Sequence, residues 1–386
     1  MKTWIIEPHD SFIARDGRPF GLIAGVRASS LPFPFPSTTT GGVRTRDGLD
    51  AEGVFDTNKT SDVKNLEVRG ALLVEIDDDD NVVQWYANAP ADALLLDAAD
   101  KDKDKAKVCR LVPGELPNGA STNMPDGLLP LYLKSKDKSK PHDAPRFWKW
   151  DKFKEWLIEP KDFDVPSLYD FGISGLPQDE RSHVAIEGET QASEEGKLFQ
   201  TRGLEFTRQK QEKKLGTATR LALAVSTDAA NINKGVASLG GERRLVSWRD
   251  FQGTENIFDS TCPKEIVESI VENQTCRVVL LTPAYFEQGW KPTWIIQDGN
   301  LELKAAAIQR TQVISGWDFE IQKPKPTRRL VPAGSVFFFK LNGNKDQIEN
   351  WIARTWMNCI SDDEQSRKDG FGLAVLGTWT EGKELN

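Results

Sequence analysis

The C-terminal segment from Ser335 onward restricts the fold more than any other part of the chain. Ser335 to Leu341 is dense in aromatic residues and reads as a strand. From Asp346 to Ile360 the residues Ile348, Trp351, Ile352, Thr355, Trp356, Cys359 and Ile360 recur at i, i+3 and i+4. That spacing predicts one amphipathic helix. Leu373 to Trp379 reads as a closing strand. Such a unit buries its apolar faces only against further elements. Upstream lie a short predicted helix, Pro263 to Glu272, with Ile266, Val267, Ile270 and Val271 on one face, and a strand, Arg277 to Thr282. Together they fit half of a ferredoxin-like βαββαβ fold, which sets the class as α+β. No period of about 20–50 residues recurs, which excludes a solenoid or propeller.

The N-terminal half carries similar signals. Thr3 to Glu7 reads as a strand closed by Pro8, followed by a polar loop with Asp16-Gly17 as its turn. Pro32, Pro34 and Pro36 alternate with Leu31, Phe33 and Phe35, a spacing that forbids helix and central strand and favours an extended lead-in. Ser37 to Thr40 then offer capping hydroxyls to a helix through Gly41-Gly42-Val43-Arg44-Thr45-Arg46. Leu66 to Ile76 and Val82 to Ala87 read as strands around an acidic turn, Asp77 to Asn81. Asp97 to Lys107 alternates Asp and Lys and reads as a solvated insertion; residues 134–145 read as a mobile loop. A helix is predicted from Trp150 to Ile158, stopped by Pro160. Val184 to Gly188 and Lys197 to Thr207 form a long hairpin, Leu221 to Ser226 a strand, and Leu239 to Arg244 a turn feeding the strand Leu245 to Trp248.

Charge matters here by its distribution. The 386 residues hold 50 Lys and Arg against 58 Asp and Glu, a net −8. Residues 75–104 alone hold ten acidic side chains and two lysines, so this one stretch accounts for the whole excess. The remainder is neutral with basic concentrations: residues 201–220 and 320–340 each carry a net +4. A polyanion partner is therefore compatible with the acidic total. No apolar run approaches the ~20 residues of a membrane span, and the first residues form no signal sequence, so a cytoplasmic location is expected.

Chemistry is sparse. Cys109, Cys262, Cys276 and Cys359 are scattered and read as reduced thiols. The only histidines are His9, His142 and His183, too few for a catalytic or metal cluster. No Walker loop, Gly-x-Ser-x-Gly elbow or His-Glu-x-x-His occurs. Gly370-Phe371-Gly372 fails as a dinucleotide fingerprint, because it opens a strand and only a short tail follows. It reads instead either as a tight turn or as a loop whose amides approach a phosphate, with Phe371 free to stack on a base or to pack beneath the loop. The 12 Trp could suggest a carbohydrate-active protein, but Trp351, Trp356 and Trp379 fall on core periodicity.

Several motifs form an ordered set: Asp10-Ser11-Phe12 with Arg15-Asp16-Gly17-Arg18-Pro19-Phe20, then Leu31-Pro32-Phe33-Pro34 leading to Ser37-Thr38 and Gly41-Gly42-Val43-Arg44; Leu239-Gly240-Gly241-Glu242-Arg243-Arg244; and Pro332-Ala333-Gly334-Ser335 with Gly370-Phe371-Gly372. The set resembles, from end to end, the third-subunit family of type III-B (Cmr) CRISPR effector complexes, within the RAMP superfamily. The resemblance implies two ferredoxin-like (RRM-like) RAMP domains, with boundaries expected at 1–229, including an insertion near 77–145, and 230–386. It implies no catalytic residue, no metal and no cofactor. It also implies a grip on the 5′ repeat-derived handle of the crRNA, docking to the large polymerase-like subunit, contact with the backbone RAMP subunit, and no direct binding of DNA. Expected RNA-binding residues are Arg15, Arg18, Ser37, Thr38, Gly41, Gly42, Arg44, Arg46, His183, Arg202, Arg243, Arg244, Arg328, Arg329, Gly370, Phe371 and Gly372. The competing expectation is a RAMP-type, metal-independent endoribonuclease that processes repeat RNA with His183 or a Tyr as general acid/base.

Overall fold

The computed structural model describes residues 1–15, 27–98, 104–133, 139–142, 145–209, 218–294, 300–318 and 322–380. Arg18, the Asp16-Gly17 turn, Lys101, Lys103, Lys134 to Lys138, Lys210, Lys213 and Lys214 lie outside the described residues. The principal elements begin with β1 (Lys2–Pro8), α1 (Pro36–Asp47), β2 (Val68–Ile76), α2 (Trp150–Ile158), β3 (Gln178–Ile186), β4 (Ser193–Leu204) and β5 (Ala218–Thr227). After them come β6 (Gly235–Ser238), β7 (Leu245–Asp250), α3 (Lys264–Asn273), β8 (Thr275–Leu280) and β9 (Leu301–Ala307). The chain closes with β10 (Val336–Leu341), α4 (Lys345–Thr355) and β11 (Leu373–Gly377).

The fold is mixed α/β and rich in antiparallel strands. Packing divides it into two compact units that interleave along the sequence, instead of meeting at 229/230. The first comprises Met1–Val83, Gly175–Gly253 and Val313–Arg329; the second comprises Gln84–Ser174, Thr254–Gln312 and Leu330–Asn386. The reason is strand pairing: β1 finds its partners in β5 and β7, more than 200 residues downstream, so the first sheet takes strands from both sides of residues 229/230.

In the first unit the sheet order is β6-β7-β1-β5-β2, all antiparallel. Ile5 faces Ala224 on one side and Arg249 on the other. Helix α1 packs on β2. A Cβ on Gly42 would lie 2.6 Å from Leu239 Cδ1 and 3.1 Å from Trp248 Cζ2, so this glycine lets the helix approach β7. The expected hydroxyl cap is not used. Pro36 is the first helical residue and Phe35 the N-cap, with no side-chain hydrogen bond to the cap. Proline at this position presets φ and carries no amide needing a partner, so the N-cap falls at Phe35, two residues before Ser37. Hairpin β3–β4 runs from the Gln178–Leu204 pair to the Ile186–Ser193 pair, with Arg27–Ser29 parallel to β4.

In the second unit the order is β9-β10-β8-β11, with Asn358–Cys359 beside β11. Strand β8 is buried at every position and β11 likewise, so Val278–Leu280 and Leu373–Leu376 read as continuous apolar runs without alternation, while β8 also buries Thr275 and Arg277. Helices α3 and α4 pack on each other, α3 on β8 and α4 on β11. A capping box starts α4: Asn344 Oδ1 accepts from Gln347 N and Gln347 Oε1 from Asn344 N, each at 3.0 Å. The helix stops at Thr355, short of the predicted Ile360. Met357 adopts φ +54° and reverses the chain, and Cys359 then pairs with Leu373 as an edge strand. Trp356 and Met357 are buried and Cys359 and Ile360 half-buried, but from a non-helical segment. Asp97 and Ala106–Lys107, expected in a solvated insertion, belong to the paired strands Ala93–Asp97 and Ala106–Pro113.

The acidic stretch is also only partly a solvated surface. Asp92 and Arg277 form an ion pair of 2.5 Å in the second unit, each about 1% exposed. In the first unit, Asp80 pairs with Arg220 at 2.6 Å and Arg249 at 3.2 Å. Glu7 receives both guanidinium groups at 2.7 and 2.6 Å. Burial raises the Glu7 carboxyl pKa, but the hydrogen bonds from Arg220 and Arg249 outweigh it and hold the group below the usual carboxylate range.

Candidate functional site

Two of the sequence motifs meet on the segment Ser11–Arg15 in the first unit. On one side Phe12 and Leu204 exchange backbone hydrogen bonds of 2.8 Å each. A Cβ on Gly203 would lie 2.5 Å from Ser11 Cβ, so only glycine allows this approach. On the other side Gly241 N donates to Ile13 O at 2.7 Å, and Gly240, at φ +77°, presses against the same carbonyl. The hairpin and the Leu239–Arg244 turn are thus stitched to one strip of chain.

Charged groups line this strip. Asp179, Arg181 and His183 alternate along β3 and share one face. Ser11 Oγ bonds to Asp179 Oδ2 at 2.5 Å and contacts the Glu205 carboxylate. Arg181 Nε donates to Asp179 Oδ2 at 2.5 Å, and its Nη2 reaches Ser11 Oγ at 3.3 Å. The Ser11 hydrogen bond holds the Asp179 carboxyl below the usual range, with Arg181 and the charge of Arg244 reinforcing it. Glu242 bridges Arg15 at 3.6 Å and Arg244 at 3.1 Å. Glu242 and Arg243 both take left-handed backbone angles, φ +58° and +52°. Two consecutive non-glycine residues there store roughly 1–3 kcal/mol each, a cost that clusters at binding sites. The turn leaves Arg243 exposed, with no ion pair among the described residues. Four guanidinium groups against three carboxylates leave the strip near neutral, so it is preorganised instead of strongly basic.

His183 lies on the same face, its Nε2 2.9 Å from Thr201 Oγ1 and its ring stacked on Phe199 at 5.1 Å. Arg202 turns to the opposite face of the hairpin and pairs with Glu180 at 3.0 Å. Sequence reading missed Arg181 and Asp179; their period-two spacing with His183 was the available signal.

The α1 residues have other duties. Ser37 and Thr38 sit half-buried in the first turn, and Gly41 is exposed with open space around its Cα. Arg44 Nη2 donates to the carbonyls of Lys64 (3.1 Å) and Leu66 (3.3 Å), which closes the end of the short helix Thr60–Asn65. Arg46 bonds the Asn233 carbonyl and lies 5.3 Å from the centroid of Trp248, a cation–π contact. Arg328 and Arg329 lie on a short strand, Arg328–Leu330, with Arg329 exposed. The described arginines of the basic run 201–220 are paired internally: besides Arg202 and Arg220, Arg208 pairs with Glu75 at 3.8 Å.

The glycine loop of the second unit corrects the phosphate-cradle expectation. Gly370, Phe371 and Gly372 are buried, and Phe371 is 0% exposed. Their amides donate to Arg367 O (3.1 Å), Ser366 O (2.9 Å) and Pro283 O (2.8 Å), so the loop's donors are already used. A Cβ on Gly372 would lie 2.9 Å from Ser361 N. The glycines therefore serve close packing, and Phe371 packs beneath the loop; its faces are not available for stacking.

Among the described residues no group of three or more His, Cys, Asp or Glu could hold a metal. Burial pushes the Cys262 thiol up to about 12 and raises that of Cys276 further, which disfavours the thiolate form in both. No helix among the described residues is long and apolar enough to cross a membrane. A cavity of about 570 Å³ in the second unit is floored by Trp156, Phe163 and Phe171 and edged by Glu155, Glu159, Asp164 and Asp170. Its two lysines, Lys152 and Lys161, are paired with Glu155 and Glu159, so phosphate is repelled there.

Comparison with known proteins gives a family. The family model described as CRISPR-associated protein (Cas_Cmr3) matches residues 4–379. No curated protein matches the chain. A chain of a type III-B Cmr-beta structure bound to cognate target RNA aligns with a TM-score of 0.50 at 14% identity, covering 97% of this chain and 96% of that one. Another Cmr-beta structure, with target RNA and AMPPnP, gives 0.47 at 14% identity over 90% and 89%. A chain of the Csm3–Csm4 subcomplex of a type III-A CRISPR-Cas interference complex gives 0.36 at 13% identity over 98% and 100%.

Proposed function

The chain belongs to the Cas_Cmr3 family of CRISPR-associated proteins, and on that premise we propose that it is a non-catalytic, RNA-binding subunit of a type III-B effector complex. It grips the 5′ repeat-derived handle of the crRNA and docks to the large polymerase-like subunit and the backbone RAMP subunit. Each unit is a ferredoxin-like RAMP domain. Numbered by their order in the chain, β1, β2, β5 and β7 stand as fourth-first-third-second across the first sheet, and β8, β9, β10 and β11 repeat that order in the second. This is the strand order of a βαββαβ unit.

The observation that carries the reading is the strip Ser11–Arg15. Motifs more than 190 residues apart converge there, backbone strain is spent on presenting Arg243, and the surrounding arginines are held in fixed geometry by carboxylates. Arg15, Arg243 and Arg244 hold handle phosphates, with Arg181 and His183 beside them; phosphate contacts of this type set register on an RNA strand. Arg328 and Arg329 supply a separate phosphate contact. The handle stays single-stranded, because a paired A-form groove hides its base edges.

His183 supports binding over cleavage. A general acid/base must reach the proton it transfers, whereas Nε2 of His183 is engaged by Thr201 and its ring by Phe199. The test has two arms. Arg15→Ala/Arg243→Ala in the assembled complex is expected to weaken handle binding and to lower the salt slope by about 0.7 for each phosphate no longer neutralised; unchanged affinity and slope would remove the strip from the RNA interface. Handle RNA incubated with the isolated chain in chelator is expected to remain intact; cleavage abolished by His183→Ala would establish the endoribonuclease instead.

A further inference from the structure

The second unit holds a cavity of about 220 Å³ where α4 meets the ends of β9 and β10. Its chemistry differs from that of the arginine strip. The apolar wall is Leu301, Leu341, Ile348 and the half-buried Trp351. The polar wall is amide: Asn300, Asn342 and Asn350, with Arg354 beyond them. Helical geometry explains the set, since residues 347, 350, 351 and 354 recur at three- and four-residue steps and share one side of α4. The backbone fixes the opposite wall, where Asn342 N donates to Asn300 O at 2.7 Å and ties the two strand ends together. Gln347, which also lines the cavity, is committed to the capping box.

Three features point to one ligand class. Each asparagine amide presents a donor and an acceptor on one plane, the complement of a nucleobase edge. Trp351 supplies an aromatic face, and bases of unpaired RNA are held by such faces. Among the described residues Arg354 is the only ionisable side chain in the lining, and none of them places a carboxylate there to repel a phosphate. The volume suits a single heterocycle, and neither a duplex nor a folded segment would fit.

We propose that this cavity is a nucleobase subsite, which takes one unpaired base of single-stranded RNA against Trp351, with Asn300, Asn342 and Asn350 at its edge and Arg354 on a flanking phosphate. The subsite rests on the RNA-binding reading above and deepens it by locating a base contact away from the arginine strip.

The test is photo-crosslinking of the full chain to single-stranded RNA bearing 4-thiouridine or 6-thioguanosine, with adducts mapped by mass spectrometry, alongside binding titrations. Adducts are expected on the peptide containing Trp351. Trp351→Ala is expected to weaken binding by about 5- to 150-fold, the range for removing one base stack, and Trp351→Phe far less. Asn350→Ala and Arg354→Ala alter exposed side chains and are expected to weaken binding with an unchanged melting temperature. If RNA binds equally well to all four variants and no adduct maps to α4, the subsite is refuted while the RNA-binding reading stands. Displacement of the crosslink by a neutral oligosaccharide, but not by nucleotides, would assign the cavity to sugars and overturn the proposal. Absence of RNA binding by the unaltered chain would overturn both.

Discussion

Removing the Asp92 carboxylate should unfold the second unit well before it disturbs anything else. Arg277 and Asp92 are each about 1% exposed. Arg277 Nη1 donates to Asp92 Oδ2 at 2.5 Å, its Nε to Thr378 O at 2.8 Å, and its Nη2 to the carbonyls of Trp156 (2.7 Å) and Leu157 (3.3 Å). The other carboxylate oxygen accepts from Trp156 Nε1 at 3.0 Å. One ion pair thus joins β8, the end of β11 and the C-terminal turn of α2. Asp92→Ala leaves a buried guanidinium without a counter-charge and an indole N–H without an acceptor, a loss of about 3–5 kcal/mol. The second unit is about 200 residues long, so this predicts a fall in melting temperature of roughly 6–20 °C. Asp92→Asn keeps the shape and the acceptor for Trp156, and isolates the charge; its expected cost is about 1.5–3 kcal/mol. An Asp92→Leu/Arg277→Met double variant removes both charges but strands the Trp156 and Thr378 carbonyls. It should therefore recover only part of the loss. Thermal and urea unfolding of this double variant, its two single variants and the unaltered protein closes a double-mutant cycle. If Asp92→Ala costs less than about 1 kcal/mol, or the loss shrinks sharply with added salt, the pair is solvated and the reasoning fails.

Other substitutions separate packing from binding. Gly42→Ala drives a methyl into Leu239 and Trp248 and should cost about 1–3 kcal/mol, read as a lower urea midpoint. Phe371→Ala should cost about 3–5 kcal/mol by opening a core cavity, with RNA affinity per folded molecule unchanged; normal melting with weakened RNA binding would show that the ring faces RNA. Because the folded Glu7 carboxyl lies below its usual range, its contribution to stability is present above about pH 4.5 and is lost as the pH falls through the folded value. Glu7→Gln should therefore flatten the acid limb of the stability curve, and an unchanged limb would contradict the ion-pair network.

Elements with strong local patterns were legible in the sequence. Helix α2 spans the predicted Trp150–Ile158, where a clear apolar face and Pro160 agree. Strands β8, β10 and β11 were marked by the apolar runs Val278–Leu280, Val336–Phe339 and Leu373–Leu376. What stayed hidden depends on distant partners. Arg220 reads as part of a basic run, yet its partner Glu7 is 213 residues away. Asp92 reads as surface acid until Arg277 is beside it. Gly370-Phe371-Gly372 reads as a free loop, because nothing local shows that Ser366, Arg367 and Pro283 occupy its amides. Convergence of Ser11–Arg15 with Gly203 and Gly240 was foreshadowed only by those glycines, each filling a position where a Cβ would collide.

The central claim, that this chain holds the crRNA handle on the Ser11–Arg15 strip without cutting it, is tested most directly by mapping crosslinks in the assembled effector complex. The complex is loaded with guide RNA carrying photoreactive nucleotides in the 5′ handle, irradiated and sequenced at both protein and RNA level. The account predicts adducts within Ser11–Arg15, Gln178–His183 or Leu239–Arg244, with the guide recovered at full length. Handle adducts confined to other subunits, or a guide shortened by this chain alone, would contradict it.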